Sequence, residues 1–164
     1  MPHAVKREFI PKSDGFKVVL ATPIHDFGDD FYRRPLYERV ADAITGLGAR
    51  VFLPHRDIGR DRPITRVYHH IHDFVIPSCD LVLADIGADR HGYGSSEVRA
   101  MIQTAANKFV YKDGAARVAY FWEGKKRTLN PHPTDSQINY DTAEELIEWA
   151  GSLGRALERN PTGF

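Results

Sequence analysis

Short apolar runs rich in β-branched residues alternate along the chain with longer stretches of helical periodicity. KVVLAT (17–22), RVFLP (50–54) and DLVLADI (80–86) are typical of buried strands. The third run is apolar at successive positions, which indicates a strand covered on both faces, as in parallel sheets. KFVYK (108–112) and RVAYFW (117–122) are predicted as two further strands.

Between these runs the apolar residues recur every three or four positions, which predicts amphipathic helices. One helix is expected over 35–48 and a second over 64–76, where Pro77 should end it. Two more are expected to begin at Glu97 and at about residue 142. This alternation favours an α/β sandwich of three layers, in which helices cover both faces of a five-stranded, mainly parallel sheet.

Length and composition fit a single domain. The chain has 164 residues, of which 1–16 are polar and predicted to be a flexible lead-in, and 17–164 form the domain. The 22 basic and 22 acidic residues balance, so no charged surface for a nucleic-acid polymer or a membrane is predicted. No apolar run approaches the roughly 20 residues that span a bilayer. A single cysteine, Cys79, excludes an internal disulfide and fits a cytoplasmic protein.

Three polar loops that contain glycine follow the first three predicted strands. They are TPIHDFGDDF, HRDIGRDRP and GADRHGYGSSE. In open parallel sheets ligands bind beyond the carboxyl ends of the strands, so the candidate site lies among these loops. HGYGSSE lacks the Gly-Lys-Ser/Thr of the Walker pattern. It also fails to match G-x-G-x-x-G, because Glu97 replaces the last glycine. Nucleoside triphosphate hydrolysis is therefore excluded, dinucleotide redox chemistry is disfavoured, and no cofactor is predicted.

Metal and acyl-transfer chemistry find little support in the sequence. In YHHIHD (68–73), His69, His72 and Asp73 share a helical face by spacing. This set falls short of the four ligands of a structural zinc site, so no metal is predicted. The chain also lacks the G-x-S-x-G elbow that a Ser-His-Asp triad of the α/β-hydrolase type requires.

Displacement at carbon by a carboxylate remains as the candidate chemistry. It needs one ionised acid aimed at the electrophilic carbon and a second group at the leaving atom. Glu97, at a helix start behind a glycine-rich loop, fits the first role, whereas the second is open among Asp73, Asp85 and Asp89. The alternative is that Glu97 only complements the helix dipole or is a solvated surface charge.

CDLVLADIGADRHGYGSSEVRAMIQTAANKFVYKD (79–113), with HDFVIPSCD before it and RTLNPHP (127–133) after it, resembles the nucleoside 2-deoxyribosyltransferase family. The resemblance implies a flavodoxin-like fold and transfer of a 2-deoxyribosyl group between bases through a covalent glycosyl-enzyme ester. It also implies that Glu97 attacks C1′ and that Asp73 helps the base to depart. Asn130 matches a residue that reaches a neighbouring subunit's site, which implies a homo-oligomer with shared active sites.

The resemblance places further substrate contacts in two loops. Where the family has an aspartate for the sugar 5′-hydroxyl, this chain has His91. The related nucleoside monophosphate N-glycosidases have a serine there and bind a 5′-phosphate, which His91, Gly92, Gly94 and Ser95 would suit. Asp89 is the alternative acid for the 5′-hydroxyl.

The first loop is where the family builds its base pocket. His25, Asp26 and Phe27 are the expected contacts, and an aromatic ring there would stack on a nucleobase. The expected partners are a nucleoside or nucleoside monophosphate and a free nucleobase. Transfer to a base, hydrolysis by an N-glycosidase and a non-catalytic sensor of a nucleotide derivative all stay open.

Overall fold

The computed structural model describes residues 17–24, 33–58, 63–87, 96–111, 117–123 and 137–159. The strands are β1 (Lys17–Ala21), β2 (Arg50–Phe52), β3 (Leu81–Asp85), β4 (Arg117–Glu123) and β5 (Gln137–Tyr140). The helices are α1 (Arg34–Thr45), α2 (Pro54–Asp57), α3 (Ile64–His70), α4 (Ile76–Ser78), α5 (Ser96–Tyr111) and α6 (Ala143–Arg159). A π-helical turn, Ile71–Val75, joins α3 to α4.

The five strands form one parallel sheet in the order β2-β1-β3-β4-β5. Helices α1 and α6 contribute to the apolar cluster on one face, whereas α3, α4 and α5 contribute to the cluster on the other. This is the flavodoxin-like strand order. The predicted α/β sandwich with a five-stranded parallel sheet is therefore confirmed.

Strand β3 shows why the sequence pattern predicted burial on both faces. Leu81 and Leu83 join the cluster under α1 and α6, while Val82 and Ala84 join the cluster under α3 to α5. The alternation follows from the two-residue repeat of a strand. Asp85, the last residue of β3, continues the first series and is fully buried.

The prediction of a strand at 108–112 is wrong. Residues 108–111 form the last turn of α5, and the fifth strand is Gln137–Tyr140, which the apolar pattern did not predict. A short apolar run has no period that distinguishes a strand from the end of a helix, and this run continues the helix before it. The strand at 137–140 lies at the sheet edge and carries one buried residue, Tyr140, so it shows no apolar run.

Pro77 does not end the second helix as predicted. Helical structure continues to Ser78, and the N–H of Ile76 donates to the carbonyl of Ile71, five positions earlier. A proline removes one N–H and clashes with the carbonyl four residues back. The wider π-helical turn directly before Pro77 relieves this clash, because its hydrogen bonds already run to more distant carbonyls.

Helix ends follow the chemistry of their sequences. Pro35 lies in the first turn of α1, and Gly48, in the turn that follows the helix, has a φ of 99°, a backbone conformation that favours glycine. At the start of α6, Thr142 and Glu145 form a reciprocal capping box.

None of the helices in the described part of the chain has the length and apolar character needed to cross a bilayer.

Candidate functional site

The candidate site lies at the carboxyl edge of the sheet, where β1 and β3 are neighbours. The chain leaves β1 toward one edge of the sheet through α1 and β2, and it leaves β3 toward the other through α5 and β4. This divergence opens the crevice in which ligands of open parallel sheets bind. Ile24 follows β1 there, and Gly87 follows β3.

Glu97 lies in the first turn of α5 and is fully buried. Its Oε1 accepts a hydrogen bond of 2.5 Å from the backbone N–H of Ile24. The carboxylate thus joins the start of α5 to the segment after β1, 73 positions earlier. A solvated surface charge is excluded by this burial, whereas a favourable interaction with the dipole of α5 is retained.

Arg34 contacts Ile24 at its carbonyl group. Its side chain is buried, and Nη2 donates to the carbonyl of Ile24 at 3.0 Å. Ile24 is therefore held by a buried cation at its C=O and by the carboxylate of Glu97 at its N–H. This pairing fixes the backbone that in turn orients Glu97.

A second group of polar side chains, all buried except the half-exposed Glu123, surrounds Arg33. Its guanidinium donates to Asp85 Oδ2 at 3.2 Å, to the Tyr140 hydroxyl at 3.0 Å and to Glu123 Oε1 at 2.9 Å. Arg33 precedes α1, so one side chain connects that helix to the ends of β3, β4 and β5. We call Arg33, Tyr37, Asp85, Glu123 and Tyr140 the Arg33 network.

Asp85 is the acceptor at the centre of the Arg33 network. The Tyr37 hydroxyl donates to Oδ2 at 2.6 Å, and the Gly87 N–H donates to Oδ1 at 2.9 Å. Burial raises the pKa of Asp85, and the nearby Arg33 opposes that shift. Burial and the Asp85 charge raise the pKa of Tyr37 well above its usual value, so Tyr37 stays a neutral donor.

The sequence patterns did not reveal Arg33 and Arg34 as site residues, although a signal was present. Two arginines at the start of a helix oppose its dipole, which favours acidic side chains there. Each arginine finds buried acceptors that offset this cost. Asp85 contacts Tyr37 of α1, so its side chain lies on the face of the sheet that α1 covers, within the Arg33 network. The role of second acid stays a prediction.

Asp73 lies in the π-helical turn with its side chain 54% exposed. Its Oδ2 lies 2.6 Å from Nδ1 of His69, one turn earlier on the helix. The contacts described for Asp73 do not join it to Glu97. Its role with the leaving base therefore stays a prediction.

His72 faces α5. Its Nδ1 lies 2.6 Å from the Thr104 hydroxyl, which itself donates to the carbonyl of Ala100, so the imidazole is the donor. Burial lowers the pKa of His72, which favours the neutral ring. Among the described residues no group of three or more His, Cys, Asp or Glu side chains could hold a metal ion.

The remaining predicted substrate contacts lie outside the described residues. They are His25, Asp26, Phe27, Asp89, His91, Gly92, Gly94, Ser95 and Asn130.

Gly87 packs against the end of β4. A Cβ at this position would lie 3.0 Å from Cβ of Trp122, 3.3 Å from its Cα and 3.4 Å from the backbone nitrogen of Glu123. Because strand backbone cannot yield as a flexible side chain would, Gly87→Ala is expected to destabilise the protein by about 1–3 kcal/mol in chemical unfolding. Gly46→Ala is the matched control, since Gly46 is right-handed with φ −61° and a Cβ would meet nothing nearer than 3.4 Å.

The Gly46 variant should be neutral or more stable by about 0.4–1 kcal/mol, because alanine restricts the unfolded chain. Equal stability changes at Gly87 and Gly46 would contradict the close packing of Gly87 on Trp122.

Comparison of the chain with protein-family models and with curated proteins found no match.

Proposed function

We propose that the protein is a nucleoside 2-deoxyribosyltransferase-like enzyme. It cleaves the N-glycosidic bond of a nucleoside through a covalent ester on Glu97 and transfers the sugar to another nucleobase. The observation that carries the proposal is the fully buried carboxylate of Glu97, held by Ile24 at the carboxyl edge of the sheet. The flavodoxin-like strand order and the resemblance of residues 79–113 to the transferase family support it.

The reaction has two displacements at C1′. A carboxylate oxygen of Glu97 bonds to C1′ while the C1′–N bond breaks, and the electron pair leaves with the base, which takes up a proton. A ring nitrogen of a second base then attacks C1′ and releases the carboxylate, losing its proton. Water in place of the second base gives hydrolysis.

The protein contributes position and charge to the first displacement. The hydrogen bond from Ile24 fixes one oxygen of Glu97, and Arg34 fixes Ile24. A carboxylate already oriented loses little freedom on reaching the transition state. The positive end of the α5 dipole stabilises the negative charge that Glu97 carries before attack.

The proton for the departing base is assigned to Asp73 on the resemblance alone. Its partner in the structure is His69, at 2.6 Å, and both side chains are largely exposed.

The proposal includes a nucleoside or its 5′-monophosphate and a free nucleobase as substrates. It also includes a homo-oligomer in which Asn130 of one subunit completes the site of another.

Base release tests the proposal directly. The protein is incubated with 2′-deoxynucleosides and their 5′-monophosphates, with and without a different free base, and the products are separated by chromatography. We expect release of the original base and, with the acceptor base present, a new nucleoside.

Free sugar or sugar phosphate as the product, whether or not the acceptor base is present, would replace transfer with hydrolysis by an N-glycosidase. Binding of a nucleotide derivative without base release would contradict catalysis and leave a sensor as the function.

A further inference from the structure

Trp122 lies at the carboxyl edge of the sheet, the edge at which Glu97 contacts Ile24. It is the residue before the last of β4, and its side chain is 8% exposed. It belongs to the same buried cluster as Ile24, which donates to Glu97, and Val98, which follows Glu97. Trp122 and Glu97 are therefore on the same face of the sheet.

The indole N–H of Trp122 is buried and has no hydrogen-bond partner in the part of the chain that the structure describes. A buried donor that lacks an acceptor costs free energy, because it has lost its hydrogen bond to water without replacement. Buried tryptophans usually pair this group, and phenylalanine would supply apolar packing without the cost. A buried donor left unpaired at the sheet edge that carries the candidate site indicates a use in ligand binding.

The indole is also held in place. The backbone of Trp122 pairs with Asn139 of β5, and Gly87 approaches its Cβ so closely that a Cβ at position 87 would lie 3.0 Å away. A donor fixed in this way needs little reorganisation when an acceptor arrives, which increases the gain from each hydrogen bond.

We infer that Nε1–H of Trp122 donates a hydrogen bond to an acceptor atom of the bound substrate. The identity of that substrate, a nucleoside or its 5′-monophosphate, rests on the proposed function. Base carbonyls and ring nitrogens, sugar hydroxyls and phosphate oxygens are the acceptors that such a molecule offers. Trp122 is a substrate-binding residue in this arrangement and takes no part in bond making.

Binding measured without turnover tests the inference. Trp122→Phe and Trp149→Phe are each combined with Glu97→Gln, which prevents cleavage, and calorimetry gives Kd for 2′-deoxyadenosine, 2′-deoxycytidine and their 5′-monophosphates. Trp149 is the matched control, because it is the only other tryptophan and packs near Phe121 on the opposite face. We expect Trp122→Phe to raise Kd about ten-fold and Trp149→Phe to leave it unchanged.

Comparing the change in Kd among the two nucleosides and their two monophosphates identifies the part of the ligand that accepts the hydrogen bond. A rise in Kd for the monophosphates alone assigns the hydrogen bond to a phosphate oxygen, and a rise for all four assigns it to the base or the sugar. In Trp149→Phe the single remaining tryptophan is Trp122, so its fluorescence emission should change on binding, even where Trp122→Phe fails to fold.

Two results overturn the inference in distinguishable ways. Unchanged Kd in Trp122→Phe together with unchanged Trp122 emission removes this contact but leaves the proposed function intact, provided that the wild type releases base. Absence of both binding and base release for all four probes overturns the inference and the proposed function together.

Discussion

Replacing Glu97 with glutamine is expected to lower the rate of base release by on the order of 10³-fold or more while the protein stays folded. An amide is a poor nucleophile, so the covalent ester on C1′ no longer forms. The fold is retained because the glutamine oxygen still accepts the hydrogen bond from Ile24, which is 2.5 Å in the wild type. Chromatography of the released base measures the rate, and thermal unfolding measures the fold.

Glutamine is a sharper test than alanine. Alanine at position 97 would leave the buried N–H of Ile24 without its acceptor, which costs about 1–3 kcal/mol, so lost activity and lost stability would be confounded. Glu144→Gln is the matched control, since Glu144 also lies in the first turn of a helix but is exposed and pairs with Arg39. An E97Q variant that releases base at the wild-type rate would contradict the role of Glu97 as nucleophile.

The central strands of the fold were predictable from local patterns. Each of β1, β3 and β4 contains a continuous apolar run, at 18–21, 81–84 and 118–122, because helices cover both faces of the sheet and these positions are buried. The edge strand Gln137–Tyr140 lacks this pattern and was missed. The run KFVYK (108–112) predicts a strand because its apolar residues carry no period that separates a strand from a helix end, whereas residues 108–111 belong to α5.

The sequence predicted only the part of the candidate site that is formed by residues adjacent in the chain. Glu97 stands out because glycines, a helix start and an acid are consecutive in the chain. The Arg33 network joins residues 48 to 107 positions apart, and no periodicity encodes such pairs. Asp85 was visible as an acid at the end of a buried strand, but its partners Tyr37 and Arg33 depend on how α1 packs on the sheet.

Truncating Asp85 to alanine is expected to destabilise the protein by about 3–5 kcal/mol. The variant removes the acceptor for the Tyr37 hydroxyl, for the Gly87 N–H and for one nitrogen of Arg33, and both Tyr37 and Arg33 are buried. A loss of this size is a large part of the roughly 5–15 kcal/mol by which most domains are stable. Urea unfolding followed by circular dichroism measures it.

Arg39→Ala is the matched control, because Arg39 and Glu144 form an exposed ion pair at 3.5 Å. Exposed pairs contribute about 0–1 kcal/mol, so this variant should unfold close to the wild-type midpoint. The contrast depends on solvent. In Arg39→Ala, water solvates the exposed Glu144 carboxylate that loses its partner, whereas in Asp85→Ala water reaches Arg33 poorly, since the Arg33 side chain is 8% exposed. A loss below about 1 kcal/mol in Asp85→Ala would contradict this reasoning, because it would mean that Glu123 and Tyr140 alone satisfy the buried guanidinium.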